Sequence, residues 1–265
     1  MTDRDLDLRL LTARAVAREA GKLAHDYFSK RAQLKVEHKG TQDLVSVADR
    51  AVEDLIRQRL SGAFPEDDLL GEEGGGAAPR SGAGLWVIDP IDGTANFLRG
   101  MPYWCVAIAY VIENRVQIGV TYDPVHDELF WARRGGGAHR DQAPIRVSGA
   151  TDPERSIIGS TFTFKMGIER YMALLEGILR AGSDHRRMGS TALMMCHVAD
   201  GRLDGCATGY CNSWDVIGGL LLVREAGGVA SEFIAENGLL EAGSALAGTP
   251  GLRETLELIR GRTAP

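Results

Sequence analysis

Residues 86–96 read "WVIDPIDGTAN", and this stretch sets the terms for the rest of the chain. "LWVI" has the look of a short buried strand, yet it ends in two carboxylates, Asp89 and Asp92, separated by Pro90 and Ile91 and followed at once by Gly93-Thr94. Two carboxylates ~4 Å apart repel by about 4 kcal/mol at an effective dielectric near 20, so one must hold a proton or a cation must neutralise both. Oxygen donors on a turn, with the Ile91 carbonyl between them, suit a hard cation such as Mg²⁺. The glycine that follows lets a ligand approach the backbone, and the free amides of a helix start attract an anion. A plain structural turn would explain one isolated D-P-x-D-G equally well.

Outward from this point the chain reads as ordinary globular protein. It has 265 residues, 44% hydrophobic, 25% charged and 6% aromatic, which excludes the disordered and fibrous classes. The longest compact apolar run, "GLLLV" at 219–223, falls far short of the ~20 residues of a membrane helix. "MTDRDLDLRLL" does not resemble a secretory signal, and the expected location is the cytoplasm. Four cysteines without C-x-x-C spacing are expected to stay reduced, and six scattered histidines offer no zinc site. A net charge of −6, without a basic block, argues against nucleic acid as a primary partner.

Apolar spacing predicts helices over 5–28 and 47–60, strands at 85–89, 104–112, 116–123 and 128–132, and a Gly-rich, mobile loop at 71–84. In the second half it predicts a strand at 156–160, a helix near 168–181, a buried helix within 188–201, a short strand around "LDGCAT" and a helix over 213–228. Strands mix with helices without strict βαβ alternation, which predicts layered α and β structure with antiparallel or mixed sheets. Further acids sit where chemistry could use them: Glu72 after a short strand, Asp215 at a helix start and Asp49 one turn into its helix. Each has a bland alternative, as surface charge or helix cap.

"GEE" (71–73), "WVIDPIDGTANF" (86–97) and "WDVIGGLLLVREAGG" (214–228), in that order, closely resemble the inositol monophosphatase family of magnesium-dependent, lithium-sensitive phosphatases. "KGTQDLVSVAD" (39–49) resembles the family's mobile lysine-containing loop, and "RRMGSTALMMCHVADGRLDG" (186–205) its penultimate helix and strand. The resemblance implies an α+β fold of the layered α-β-α-β-α sugar-phosphatase type, one catalytic domain over 1–265 with halves of about 1–150 and 151–265, and a homodimer. It implies two or three Mg²⁺ ions: Glu72, Asp89 and the Ile91 carbonyl at the first, Asp89, Asp92 and Asp215 at the second, and Glu72 helping at a third. It further implies that Asp49 and Thr94 activate water, that Ile91, Asp92, Gly93 and Thr94 bind phosphate, and that Gly189, Ser190, Thr191, Thr208 and Asp215 contact substrate.

Thr208 departs from the pattern, because inositol-preferring members carry glutamate seven residues before the WD aspartate. Relatives of the same fold hydrolyse histidinol phosphate, 3′-phosphoadenosine nucleotides or fructose 1,6-bisphosphate, and some act through protein or RNA partners. The expected activity is hydrolysis of a small polyol or sugar phosphate of the inositol 1-phosphate type, with histidinol phosphate next. A nucleotide substrate would call for aromatic or basic residues near 160–170. "STFTFKMGIERY" offers Phe162, Phe164 and Lys165, which read more simply as core and surface. The apolar runs 104–112 and 156–164 read as core strands before they read as a dimer interface.

Overall fold

The computed structural model describes residues 2–33, 36–40, 43–76, 80 and 82–261. The chain begins with α1 (Asp3–Ser29), followed by strands β1 (Val36–Gly40) and β2 (Asp43–Ser46) and by α2 (Val47–Ala63). Next come β3 (Asp68–Gly71), β4 (Leu85–Asp92), the short α3 (Thr94–Arg99), β5 (Cys105–Ile112), β6 (Arg115–Asp123), β7 (Glu128–Arg133), β8 (Ala138–Arg140) and β9 (Ala143–Pro144). The second half holds β10 (Ile157–Ser160), α4 (Ile168–Arg180), β11 (Asp184–Arg186), α5 (Thr191–Ala199), β12 (Gly205–Cys211) and α6 (Ser213–Glu225). β13 (Val229–Ala230), α7 (Phe233–Asn237), β14 (Gly243–Gly248) and α8 (Arg253–Gly261) complete it.

Seven strands lie in the order β3-β4-β5-β6-β7-β8-β9, antiparallel except for the parallel pair β3/β4. Five more form a mixed sheet, β11-β10-β12-β14-β13. The central strands of the large sheet are buried on both faces, which is why β4 and β5 read as continuous apolar runs rather than as alternations. On β4, Trp86 and Ile88 face α1 and α2, packing with Val16, Ala17, Val52 and Ile56. Leu85 and Val87 face the other way and pack with α5 and α6 through Met194, Met195, Leu221 and Leu222. Cys206, Ala245 and Ala247 of the small sheet close that same core from beyond α5 and α6, while Ile158, Ala207 and Leu246 turn to α4 and α8. The layers are therefore helix, sheet, helix, sheet, helix, as the resemblance implies.

α6 sits deep in this stack because glycine lets it. A Cβ at Gly119 of β6 would come within 2.5 Å of the Gly218 carbonyl, and one at Gly219 within 2.6 Å of Met195 Cβ. The helix thereby settles against β6 and α5 at backbone distance and carries Asp215 in its first turn to the end of β4.

The runs 104–112 and 156–160 are interior strands rather than free faces. In the described part of 39–49, β1 and β2 pair as an antiparallel two-stranded sheet and α2 begins at Val47. Residues 41 and 42 and the Lys39 side chain lie outside the described residues, as do 77–79 and 81 of the loop predicted to be mobile. All four cysteines are buried and unpaired. Among the described residues, no helix is long and apolar enough to cross a membrane.

Candidate active site

A bulge at the end of β4 brings the two aspartates of the DPID turn onto one face. Asp89 pairs with Ala107 and Asp92 with Cys105, three residues on β4 against two on β5. In a regular strand, positions three apart point to opposite faces; one extra residue restores the parity. Pro90, which has no amide proton for the ladder, lies inside the irregular step. Both aspartates consequently face α5 and α6, whereas Ile91 packs on the opposite side with α1 and α2. The Ile91 amide donates to Asp89 Oδ1 at 3.1 Å, and Ile91 leaves its carbonyl to the Thr94 hydroxyl at 3.1 Å.

Three of the aspartates also hold helix starts, so the cap reading and the site reading both apply. Asp92 Oδ2 accepts from Ser190 Oγ at 2.5 Å and from the Ala192 amide at 2.6 Å, at the start of α5. Asp215 Oδ2 accepts the Asn212 amide at 2.7 Å, closing a capping box on α6. Asp49 Oδ2 accepts the Ser46 amide and hydroxyl at 2.8 and 2.7 Å, closing a capping box on α2. In Asp49 that anchoring leaves Oδ1 for the Thr94 hydroxyl at 3.2 Å. Asp49 is 1% exposed, so it is a buried group rather than a solvated helix charge.

Glu72 arrives by the parallel pairing of β3 on β4, in which Gly71 sits beside Ile88 and the Glu72 amide donates to the Ile88 carbonyl at 3.2 Å. That places it next to Asp89. Its turn is pinned by a residue that sequence reading missed. Glu53, 1% exposed, accepts the amides of Glu73 and Gly74 at 2.8 Å each and the Arg57 Nε at 2.7 Å. A Cβ at Gly71 or Gly74 would lie 2.3 or 2.7 Å from Glu53 Oε1, which gives the glycines around "EE" a reason. The available signal was an acid at position 53 on the same helix face as Asp49, Val52 and Ile56.

The electrostatics are those of a site with more negative charge than it can hold alone. Burial raises the Asp89 carboxyl well above its ordinary range; next in effect are the charges of Glu72, Asp92 and Asp215, together with a hydrogen bond to Glu72. Burial also raises Asp92, opposed by Ser190 and the α5 amides. Asp215 is pushed up to about 7, by burial and then by Asp92. Asp49 is raised by burial against the pull of Ser46. Among the described residues, no three acidic, histidine or cysteine side chains already form a closed ligand cage. The donor chemistry nevertheless fits a hard divalent cation: Glu72, Asp89, Asp92 and Asp215 offer only oxygen, and their mutual repulsion is what a cation would relieve.

Glu72, Asp92 and Asp215 line a cleft of about 920 Å³ together with Gly93, Thr94, Gly189 and Thr191, among others, while Asp49 and Asp89 lie behind its wall. Gly93 has φ 98°, and a Cβ there would also crowd the carbonyls of Tyr103 and Gly189 at 3.1 and 3.3 Å. Asn96 Nδ2 ties the same turn to the Tyr103 and Met188 carbonyls, at 2.7 Å each. Two expected substrate contacts are placed differently. Ser190 is fully buried and spends its hydroxyl on Asp92. Thr208, 2% exposed, accepts from Thr161 at 2.8 Å and donates to the Tyr210 carbonyl at 3.0 Å, off the cleft wall. Phe162, Phe164 and Lys165 do line the cleft, contrary to their reading as core and surface.

Comparison with known proteins shows the family and the fold to which the chain is similar. The sequence profile of the inositol monophosphatase family matches residues 5–262. A curated relative from Haemophilus influenzae, named Nus factor SuhB, is 35% identical over 247 residues, 92% of each chain. The crystal structure of extragenic suppressor protein suhB from Bartonella henselae superposes with a TM-score of 0.86 at 32% identity, covering 96% of this chain and 98% of that one. A staphylococcal IMPase-II solved with inositol monophosphate bound gives 0.76 at 28% identity, over 94% and 91% of the two chains.

Proposed function

Because this chain belongs to the inositol monophosphatase family, we propose that it hydrolyses a small phosphate monoester, of the inositol 1-phosphate type, to alcohol and inorganic phosphate with Mg²⁺. The observation that carries this reading is the bulged β4 turn, which puts Asp89 and Asp92 on one face, beside Glu72 from the β3/β4 pairing and in the cleft that Asp215 also lines, and sets Thr94 against Asp49. Glu72, Asp89 and the Ile91 carbonyl would hold one Mg²⁺ and Asp89, Asp92 and Asp215 a second, with Glu72 contributing to a third. Bound there, the cations supply a water of lowered pKa and a counter-charge for the leaving oxygen.

The chain's own groups do the rest. The Thr94 hydroxyl, whose single proton lies between Asp49 Oδ1 at 3.2 Å and the Ile91 carbonyl at 3.1 Å, keeps its lone pairs for the attacking water, so a proton can pass from water to Thr94 as Thr94 passes its own to Asp49. Burial of Asp49 favours that uptake, and the Ser46 contacts keep its carboxylate in place. The water oxygen bonds to phosphorus as the ester P–O bond breaks, and the alcohol leaves with a proton from solvent. Gly93 and Thr94 present backbone amides to the phosphoryl oxygens where no side-chain cap competes.

The bound ligand of the staphylococcal structure favours a polyol phosphate as substrate. Histidinol phosphate is the alternative, and family resemblance also implies a homodimer. Steady-state kinetics of Asp92→Asn and Thr94→Ala on inositol 1-phosphate test the assignment. Both should lose about 10²-fold or more in kcat with the fold intact; near-wild-type turnover in both would remove the basis of the mechanism. A second reading, a part in transcription, is favoured by the name of the Haemophilus influenzae relative. It predicts binding to a transcription component that survives Asp92→Asn.

A further inference from the structure

One side chain joins separate stretches of the chain around the Gly93 turn, and neither the proposed metal set nor the proton path uses it. Asn96 stands in the first turn of α3 and is 8% exposed. Its Nδ2 donates to the Tyr103 carbonyl and to the Met188 carbonyl, each at 2.7 Å. Both protons of that nitrogen are thereby spent, and two carbonyl acceptors decide that the nitrogen end of the group faces them. No residue of similar size does the same: serine has one donor, ionised aspartate has none, and glutamine is a methylene longer.

The backbone that Asn96 holds borders the turn proposed for the phosphoryl group. The Tyr103 carbonyl lies 3.1 Å from where a Cβ of Gly93 would stand, and the Gly189 carbonyl, next after Met188, lies 3.3 Å from it. Gly189 has φ 89°, and a Cβ there would come within 2.8 Å of Asn96 Nδ2, so the Gly189 backbone rests directly on the Asn96 amide. The side chain of Tyr103 is held as well. Arg202 donates to His197 Nε2 at 3.1 Å, which leaves the Nδ1 proton for the Tyr103 hydroxyl at 3.1 Å. His197 belongs to α5, so a closed ring of contacts runs from the Gly93 turn through Asn96 to Met188, along α5 to His197, and back through Tyr103. Without the Asn96 donors, two carbonyls would present their negative ends unpaired beside an anion site. The turn would also keep only Asp92 as its side-chain tie to the start of α5.

We infer that Asn96 is a positioning residue for phosphate: together with Tyr103, which His197 anchors, it sets the Gly93–Thr94 turn against the start of α5 and keeps the Tyr103 and Met188 carbonyls occupied beside the bound phosphoryl group. This rests on the phosphatase reading above and adds a residue to it. The test measures KM for inositol 1-phosphate and the inhibition constant of inorganic phosphate, at saturating Mg²⁺, in wild type, Asn96→Asp and Asn96→Ser. Both constants should rise about tenfold in Asn96→Asp and by less in Asn96→Ser, which keeps one donor. A residue needed only for folding would lower the active fraction, and with it the apparent kcat, while KM and the phosphate constant of the folded molecules stayed put; that result in both variants overturns the inference. If neither variant folds, Tyr103→Phe, which loses only the hydroxyl, takes their place. It should raise the phosphate constant about threefold, and an unchanged constant overturns the inference. Wild-type protein that releases no phosphate from inositol 1-phosphate overturns the phosphatase reading instead. Calorimetric binding of inorganic phosphate with Mg²⁺ then decides the role of Asn96: about tenfold weaker binding to Asn96→Asp supports it, and equal binding, or none to wild type, overturns it.

Discussion

Glu53→Gln is the substitution that most sharply separates the structure from a reading of motifs. Glu53 touches no substrate, yet it accepts two amides of the Glu72 turn and the Arg57 guanidinium, all within 2.8 Å, while 1% exposed. Glutamine keeps the size but replaces one acceptor oxygen with a donor. Charge-assisted bonds worth roughly 1.5–3 kcal/mol each fall to neutral ones of about 0.5–1.5, and one facing N–H is left without an acceptor at a further ~1–3. Arg57 is a quarter exposed, so its share is screened and the lower values apply. The expected loss is about 3 kcal/mol. Urea unfolding monitored by fluorescence should show a lower midpoint at unchanged slope. With the Glu72 turn released, the Mg²⁺ concentration for half-maximal phosphate release should rise several-fold. A stability change under about 1 kcal/mol together with an unmoved Mg²⁺ midpoint would refute the claim that Glu53 builds the turn.

Three other outcomes follow from packing and charge. Gly119→Ala should cost about 1–3 kcal/mol in denaturant unfolding and reduce turnover, because its Cβ meets the Gly218 carbonyl at 2.5 Å and displaces the helix of Asp215. Gly218→Ala, whose nearest neighbours stand at 3.6 Å or more, should be neutral or stabilising by up to ~1 kcal/mol; equal losses in both would show that the close approach is not selective. His197 is lowered from 6.5 to about 4 by burial and then by Arg202. Its Nε2 faces Arg202 at 3.1 Å while Nδ1 meets the Tyr103 hydroxyl at 3.1 Å, so a second proton has no acceptor on the Arg202 side. The unfolded chain binds that proton more readily, so the stability it contributes is full above about pH 6.5, declines as pH falls, and by about pH 4 is reduced by roughly 3 kcal/mol. Unfolding curves of His197→Gln should lack this component between pH 6.5 and 4; identical pH profiles would contradict it.

Much of the layer architecture was legible because β4 and β5 carry unbroken apolar runs and α1 and α2 carry one apolar stripe each. The site was legible only as residue types. Nothing in "DPID" shows that the bulge makes positions three apart face together, since that depends on the register against β5. Asp215 read as either cap or ligand, and Asp49 as either a solvated helix charge or a catalytic group, yet each uses one oxygen as a cap. Ser190 stood as a substrate contact through the family resemblance alone, and only the tertiary fold brings its hydroxyl 2.5 Å from Asp92 across 98 residues. Phe162 and Phe164 looked like core because aromatic residues are usually buried, and composition does not reveal that this segment passes the cleft rather than the interior. Glu53 went unnoticed because its partners are backbone amides twenty residues away.

The central claim is that the carboxylates gathered at the end of β4 form a cation-dependent phosphate site. Phosphate release from inositol 1-phosphate by the purified protein, titrated with Mg²⁺ after chelator treatment and repeated for Asp89→Asn, tests it most directly. The account predicts no release without Mg²⁺, saturable recovery on adding it, and a loss of about 10²-fold or more in the variant. Release that is indifferent to Mg²⁺, or undiminished in Asp89→Asn, would contradict it.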